Sequence, residues 1–205
     1  GDAIMALFEC PDDAMNASVE MLHALEEYNV EHQKMHDKPL SIGLGLHKGR
    51  VRLGTIGESG RMDGTVISDS VNLASRIEGL TKFYGVQCLV SETIYQSLSK
   101  PDLYLIRYMD KVKVKGKQVP VRIYENFSAN PPQIQERKRK TLGSFEEGTL
   151  LFAKGQFVEA QALFQQVLEV LPEDKAAESY VQRCERYLEK PPPANWDGAL
   201  DFDFK

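Results

Sequence analysis

Several things are scarce in this chain, and each scarcity narrows its function. Cysteine is scarce: Cys10, Cys88 and Cys184 are the only three, odd in number and widely spaced. That argues against a disulfide framework or a zinc cluster and points to a reducing compartment. Long apolar runs are missing, so no membrane-spanning segment and no leader pattern is seen. A basic excess is missing too. Lys and Arg number 25 against 30 Asp and Glu, a net charge of −5. A generic nucleic-acid surface is therefore disfavoured. What remains is ordinary for a globular protein, with 27% charged and 42% hydrophobic residues. A length of 205 residues allows one domain and an appendage. The expected location is cytoplasmic, with any membrane anchor lying upstream of Gly1.

The densest information lies in Thr65–Arg76, TVISDSVNLASR, which continues as IEGL. Ser68 or Asp69 offers an N-cap, and a helix-forming run follows. Asn72 and Arg76 stand at i and i+4, so an amide and a guanidinium share one face. Leu73, Ile77, Leu80 and Tyr84 form a neighbouring stripe suited to burial. A guanidinium suits phosphate oxygens and an amide suits a sugar oxygen, so the pair fits a polyanionic ligand. Spacing alone leaves a second reading open, a solvated face carrying an accidental pair.

The letters add to the spacing. DGTVISDSVNLASRIEGL resembles the dimer-and-substrate segment of class III nucleotide cyclases. Three further segments resemble the same family in the right order: GDAIMALF at Gly1–Phe8, SIGLGLHKGRVRLGTIG at Ser41–Gly57 and VKVKGKQVPVRIYE at Val112–Glu125. The resemblance covers about Gly1–Phe127. It implies an α+β fold, a ferredoxin-like cyclase sheet with helices on one face. It also implies that the family's first strand, its first metal aspartate and a purine-contacting lysine are not found from Gly1 onward. Little cyclase activity is therefore expected of residues 1–205 alone.

The resemblance also implies roles. Asp2 would be a ligand for two Mg2+ or Mn2+ ions. Arg76 would meet charge on the α-phosphate, Asn72 would orient the ribose, and Lys115 would contact the triphosphate. Thr65 occupies the purine-reading position and leans the choice to ATP over GTP. The implied reaction is cyclisation of ATP to 3′,5′-cyclic AMP and pyrophosphate at the interface of a homodimer. Guanylate cyclase activity, or an inactive regulatory or scaffold module, is the alternative. Gly64 and Ser68 depart from the family's usual aromatic and glycine beside the pocket.

Elsewhere the sequence reads more plainly. Ala3–Phe8 is expected as a buried strand. A helix begins at Pro11-Asp12-Asp13, with Ala14, Ala17, Met21, Leu25 and Tyr28 as its apolar stripe. His32 and His36 are spaced to share a metal, but with no third ligand they read as a solvated helix end. Ser41–Leu53 reads as a hairpin turning at Lys48-Gly49. The glycines Gly43 and Gly45 on one strand face allow close approach by a helix or a partner. Lys111, Lys113 and Lys117 read as protection of an exposed sheet edge.

After residue 127 the character changes. Residues 128–143, with Pro131-Pro132 and Arg137-Lys138-Arg139-Lys140, read as a linker. Residues 144–190 resemble a tetratricopeptide-like helical hairpin, carried by Gly148, Gly155, Phe157, Ala160, Phe164 and Pro172. Such a hairpin needs something to pack on, either this domain, another subunit or a protein partner. A separate module is expected, so damage to it should stay local. Residues 191–205 are expected to dock as an extended strap through Trp196, Leu200, Phe202 and Phe204, or to stay disordered.

Overall fold

Alternation along the strands decides where the helices go. A computed structural model describes residues 3–33, 38–58, 61–114 and 119–202, with the backbone path alone for 33, 53–58, 61–67 and 114. The elements in order are α1 (Pro11–Gln33), β1 (Leu44–Leu46), β2 (Arg52–Glu58), β3 (Arg61–Ile67), α2 (Asp69–Tyr84), β4 (Cys88–Ser91) and α3 (Glu92–Tyr95). They continue as β5 (Ile106–Val114), β6 (Val121–Asn126), α4 (Pro132–Ala153), α5 (Phe157–Val170), α6 (Lys175–Glu189) and β7 (Leu200–Phe202). The main sheet has the order β1-β4-β6-β5-β7, and β2-β3 is a separate antiparallel hairpin. The pairs β1/β4 and β5/β7 are parallel, while β4/β6 and β5/β6 are antiparallel.

On β4, Leu89 enters the core formed by α2, α5 and α6, while Cys88 and Val90 enter a second core with Met15 and Leu22 of α1. Successive strand residues face opposite sides. The sheet therefore carries helices on both faces, not on one as the sequence suggested. Glu125 and Ile123 of β6 point to the α4–α6 side, whereas Tyr124 packs on the α1 side.

Four expectations are corrected. Residues 41–53 do not form a hairpin: β1 pairs with β4, and β2 pairs with β3 instead. Ala3–Phe8 takes no strand pairing among the described residues, and Ile4 and Met5 are exposed. An apolar run does not make a strand without a ladder to join. The buried stripe of α1 is displaced by one position, to Met15, Ser18, Leu22 and Asn29, with Met21 and Tyr28 exposed. Two of those buried residues are polar and satisfied. Ser18 donates to the Met15 carbonyl at 2.7 Å, and the Asn29 amide exchanges two bonds of 2.8 Å with the Leu40 backbone. Hydropathy could not reveal them.

The fourth correction concerns the segment after residue 127. Most of the stretch read as linker is helical, because α4 starts at Pro132, with a proline at its N-terminal position where no N–H is needed. Helices α4, α5 and α6 share one continuous apolar core with α2, β4, β5 and β6. A Cβ added at Gly148 would meet the Phe164 ring at 2.9 Å, so α4 and α5 approach closely there. Phe157, Ala160 and Phe164 are buried. The strap ends as β7, paired along Val112–Val114. It covers the β5 edge that the lysines were expected to protect, and Lys111 instead forms an ion pair with Asp197 at 2.7 Å.

Candidate functional site

The site is built on α2, and the sequence explains why that helix is where it is. Its start is fixed by Ser68, whose hydroxyl accepts from the Ser70 N–H at 3.0 Å and donates to the Arg50 carbonyl. Ser70 donates to that same carbonyl at 3.2 Å. Its end is fixed by Gly85 in the left-handed region, φ 64°, whose N–H bonds back to the Thr81 carbonyl. Glycine takes that conformation without strain. Leu73, Ile77, Leu80 and Tyr84 are buried, as their spacing predicts.

The β1 glycines let α2 come close. A Cβ on Gly45 would lie 2.3 Å from the Glu78 nitrogen and 2.4 Å from the Ala74 oxygen. No residue but glycine fits there without moving the helix. The close approach that the sequence left open between a helix and a partner is therefore made by α2.

On the opposite side of α2, Asn72 and Arg76 are both exposed and one helical turn apart. Four residues of helix rise about 6 Å, so one ligand can meet both side chains. Thr65 lies on β3 with Gly54 as its cross-strand partner, and β3 runs through Ser68 into α2. Thr65 thus belongs to the element that feeds the Asn72/Arg76 helix. Asp2 and Lys115 lie outside the described residues, as does His36. His32 stacks on Tyr28, with ring centroids 3.8 Å apart. Among the described residues no group of three His, Cys, Asp or Glu could hold a metal ion, so these residues alone do not build a metal centre.

Beside the start of α2 lies an open cleft of about 410 Å³ lined by Lys48, Gly49, Arg50, Thr93, Gln96 and Ser97. Lys48 donates to the Ser97 hydroxyl at 2.9 Å, and Thr93 donates to the Lys48 carbonyl at 3.0 Å. This grouping carries no signal in the sequence, because Thr93 and Ser97 reach Lys48 only through the β1–β4 pairing. Burial pushes the Cys88 and Cys184 thiols up to about 12, which makes both poor nucleophiles. No helix among the described residues is long and apolar enough to cross a membrane.

Comparison with known proteins places these elements in context. The family described as the adenylate and guanylate cyclase catalytic domain matches residues 1–125. An adenylate cyclase of Anabaena cylindrica is 47% identical over 132 residues, covering 61% of this chain and 26% of that protein. The terminal-differentiation-specific adenylate cyclase of Dictyostelium discoideum is 32% identical over 191 residues, covering 90% of this chain and 9% of that protein. A match of that length must extend past residue 127 into the C-terminal helices. The chain thus spans roughly a quarter or less of these relatives. Among solved structures, the guanylyl cyclase Cya2 shares 31% identity with a TM-score of 0.50, covering 63% of this chain and 65% of that one.

Proposed function

The chain belongs to the adenylate and guanylate cyclase catalytic domain family, and from that premise we propose that it forms part of an enzyme cyclising ATP to 3′,5′-cyclic AMP. In that reaction the ribose 3′ oxygen loses its proton and bonds to the α-phosphorus. The bond from that phosphorus to the bridging oxygen breaks, and pyrophosphate leaves. Negative charge builds on the α-phosphate oxygens as this happens. A fixed guanidinium there stabilises the transition state more than the ground state, and this is the role of Arg76. Asn72, one turn away, holds the ribose for in-line attack. Thr65 reads the purine and Lys115 meets the triphosphate. Two Mg2+ or Mn2+ ions would supply further phosphate neutralisation, with Asp2 as this chain's ligand.

The observation that carries this reading is the placement of Asn72 and Arg76, exposed together on a helix whose neighbouring stripe is buried in the core. A homodimer in which this face meets the Asp2 side of a second copy would build two equivalent sites. The tetratricopeptide-like helices are a further candidate surface for a protein partner. A second reading, GTP as substrate, is favoured by the solved relative named as a guanylyl cyclase.

The test is Arg76→Ala in the full-length protein, assayed with ATP and GTP. Turnover should fall about 10²–10³-fold with a smaller change in nucleotide binding. Normal turnover in the variant would remove Arg76 from the reaction. A preference for GTP in the unaltered protein would move the assignment to the second reading.

A further inference from the structure

Three contacts from the C-terminal segment converge on the far end of α2. The first runs through Asp110, which is 2% exposed. The Tyr84 phenol donates to its Oδ2 at 2.8 Å, and Arg183 of α6 donates Nη1 to the same oxygen. The Lys111 N–H donates to Oδ1 at 2.8 Å. The second is Lys175, whose Cδ would meet a Cβ on Gly85 at 2.6 Å. The third is Phe202 of β7, edge-on to the Phe83 ring at a centroid distance of 4.7 Å.

Asp110 faces the helices because β5 is irregular there. The β5–β6 register shifts between Tyr108 and Asp110, so Met109 and Asp110 are both buried although they are neighbours. A bulge re-aims the side chain that follows it. Without that shift Asp110 would point with Tyr108 to the other face.

Arg183 itself is oddly satisfied. Its Nε and Nη2 are buried without a hydrogen-bond partner among the described residues, and its guanidinium lies 4.5 Å from the ring centroids of both Phe152 and Tyr180. A buried ion pair of this kind is a weak source of stability compared with apolar packing. What it supplies is direction, since the guanidinium and the Tyr84 phenol converge on one carboxylate oxygen.

We infer that Arg183 is a positioning residue for α2: by holding Asp110 it sets where the Tyr84 end of the helix lies, and so where Asn72 and Arg76 are presented. On its β1 side the middle of α2 rests on Gly43 and Gly45, which offer no side chains, and Leu73, Ile77 and Leu80 hold it by apolar packing, which is not directional. The Tyr84 end therefore sets the position. Asn72 lies about 18 Å along the axis from Tyr84, so a tilt of about 5° there moves it by about 1.5 Å. A displacement of that size at reacting groups can lower turnover by about a hundredfold. The effect on turnover rests on the cyclase reading, whereas the link between α6 and α2 does not.

The experiment uses Tyr84→Phe, Arg183→Met and Arg183→Lys in the full-length protein, measuring kcat, KM for the nucleotide, thermal midpoint and amide hydrogen exchange. Tyr84→Phe leaves the ion pair and the ring packing in place, so it keeps the proposal testable if Arg183→Met does not fold. We expect faster exchange within residues 69–84 and a kcat about ten- to hundredfold lower in Tyr84→Phe, with KM changed less than about threefold. Arg183→Lys should recover part of the activity that Arg183→Met loses. Unchanged exchange in α2 overturns the link, and so does a loss of activity that only follows the thermal midpoint. If the unaltered protein cyclises neither ATP nor GTP, the cyclase reading fails instead, and α2 exchange alone decides the inference.

Discussion

On one face of the central sheet, α2 and the three C-terminal helices enclose a large aromatic core, with Phe145, Phe152, Phe164 and Tyr180 buried together. On the other face the buried apolar set among the described residues is Met15, Leu22, Cys88, Val90 and Ile94. The first face also holds the buried charges. Arg107 of β5 bonds Glu125 of β6 and Asp174 at the start of α6, each at 2.6 Å, and its guanidinium lies 4.3 Å from the Phe145 ring centroid. Lys138 of α4 pairs with the same Glu125. The second face has no comparable network among its described residues. The difference shows that the segment after residue 127 walls in the side of the sheet where α2 lies. The helix that carries the proposed Asn72/Arg76 site draws part of its support from this C-terminal segment, so it can be disturbed from there.

The largest expected effect comes from breaking the charged side of this contrast. Arg107→Met would leave Glu125 and Asp174 buried with less compensation, at a loss of about 3–5 kcal/mol. Chemical denaturation should show a lower midpoint, and a loss below about 1 kcal/mol would show the network to be dispensable. Acid probes the same contact. Burial would raise the Asp174 carboxyl, but Arg107 outweighs it and holds that carboxyl below the usual range. The native state therefore favours the charged form. Its contribution is complete above the ordinary carboxylate pKa of about 3.9 and is lost as pH falls through the depressed value. Unfolding followed from pH 6 to pH 2 should show that loss in the unaltered protein and a flatter response in Arg107→Met.

How much of this was legible beforehand differs between the faces for a physical reason. The α2 stripe, the Ser68 cap, the glycine approach and the Phe157/Ala160/Phe164 packing all rest on spacing within one element, which sequence preserves. The docking of the C-terminal helices rests on charges distant in sequence. Lys138 sits in a run of four basic residues that reads as solvated, and only the fold brings Glu125 to it. Arg107 and Asp174 are 67 residues apart and carry no mutual signal. The α1 stripe was misplaced because Ser18 and Asn29 are buried through hydrogen bonds rather than apolarity. Of the candidate site, the shared face of Asn72 and Arg76 was readable from helical period, and a role for the pair only from the family resemblance, whereas the role of Asp110 required the bulge in β5.

A middle-sized effect tests whether the richer face is one cooperative unit. Ala160 is fully buried where α5 packs, so Ala160→Leu should overpack that contact by about 1–3 kcal/mol. The sequence alone suggested that the damage would stay beyond residue 143. Because α4–α6 share one core with β5 and β6, faster hydrogen exchange should instead spread to Ile106–Val114 and Val121–Asn126. On the opposite face α1 should be less affected. Exchange changes confined to residues after 143 would restore the separate module.

The smallest effect lies at the other end of α2. The Tyr84 end is held by α6 and β7, whereas the Ser68 end is held by a hydroxyl bonded to the Ser70 N–H and the Arg50 carbonyl. Removing that hydroxyl leaves an N-terminal amide unsatisfied, so Ser68→Ala should cost about 1 kcal/mol. Ser68→Gly places at this position the residue usual in related cyclases, and it should cost only a few tenths of a kcal/mol, because glycine lets water reach the amide. If the two substitutions rank this way in denaturation midpoints, Ser68 is a cap, and its departure from the family pattern reflects how the helix starts. Equal and negligible losses would mean that the helix start is held by something other than its cap.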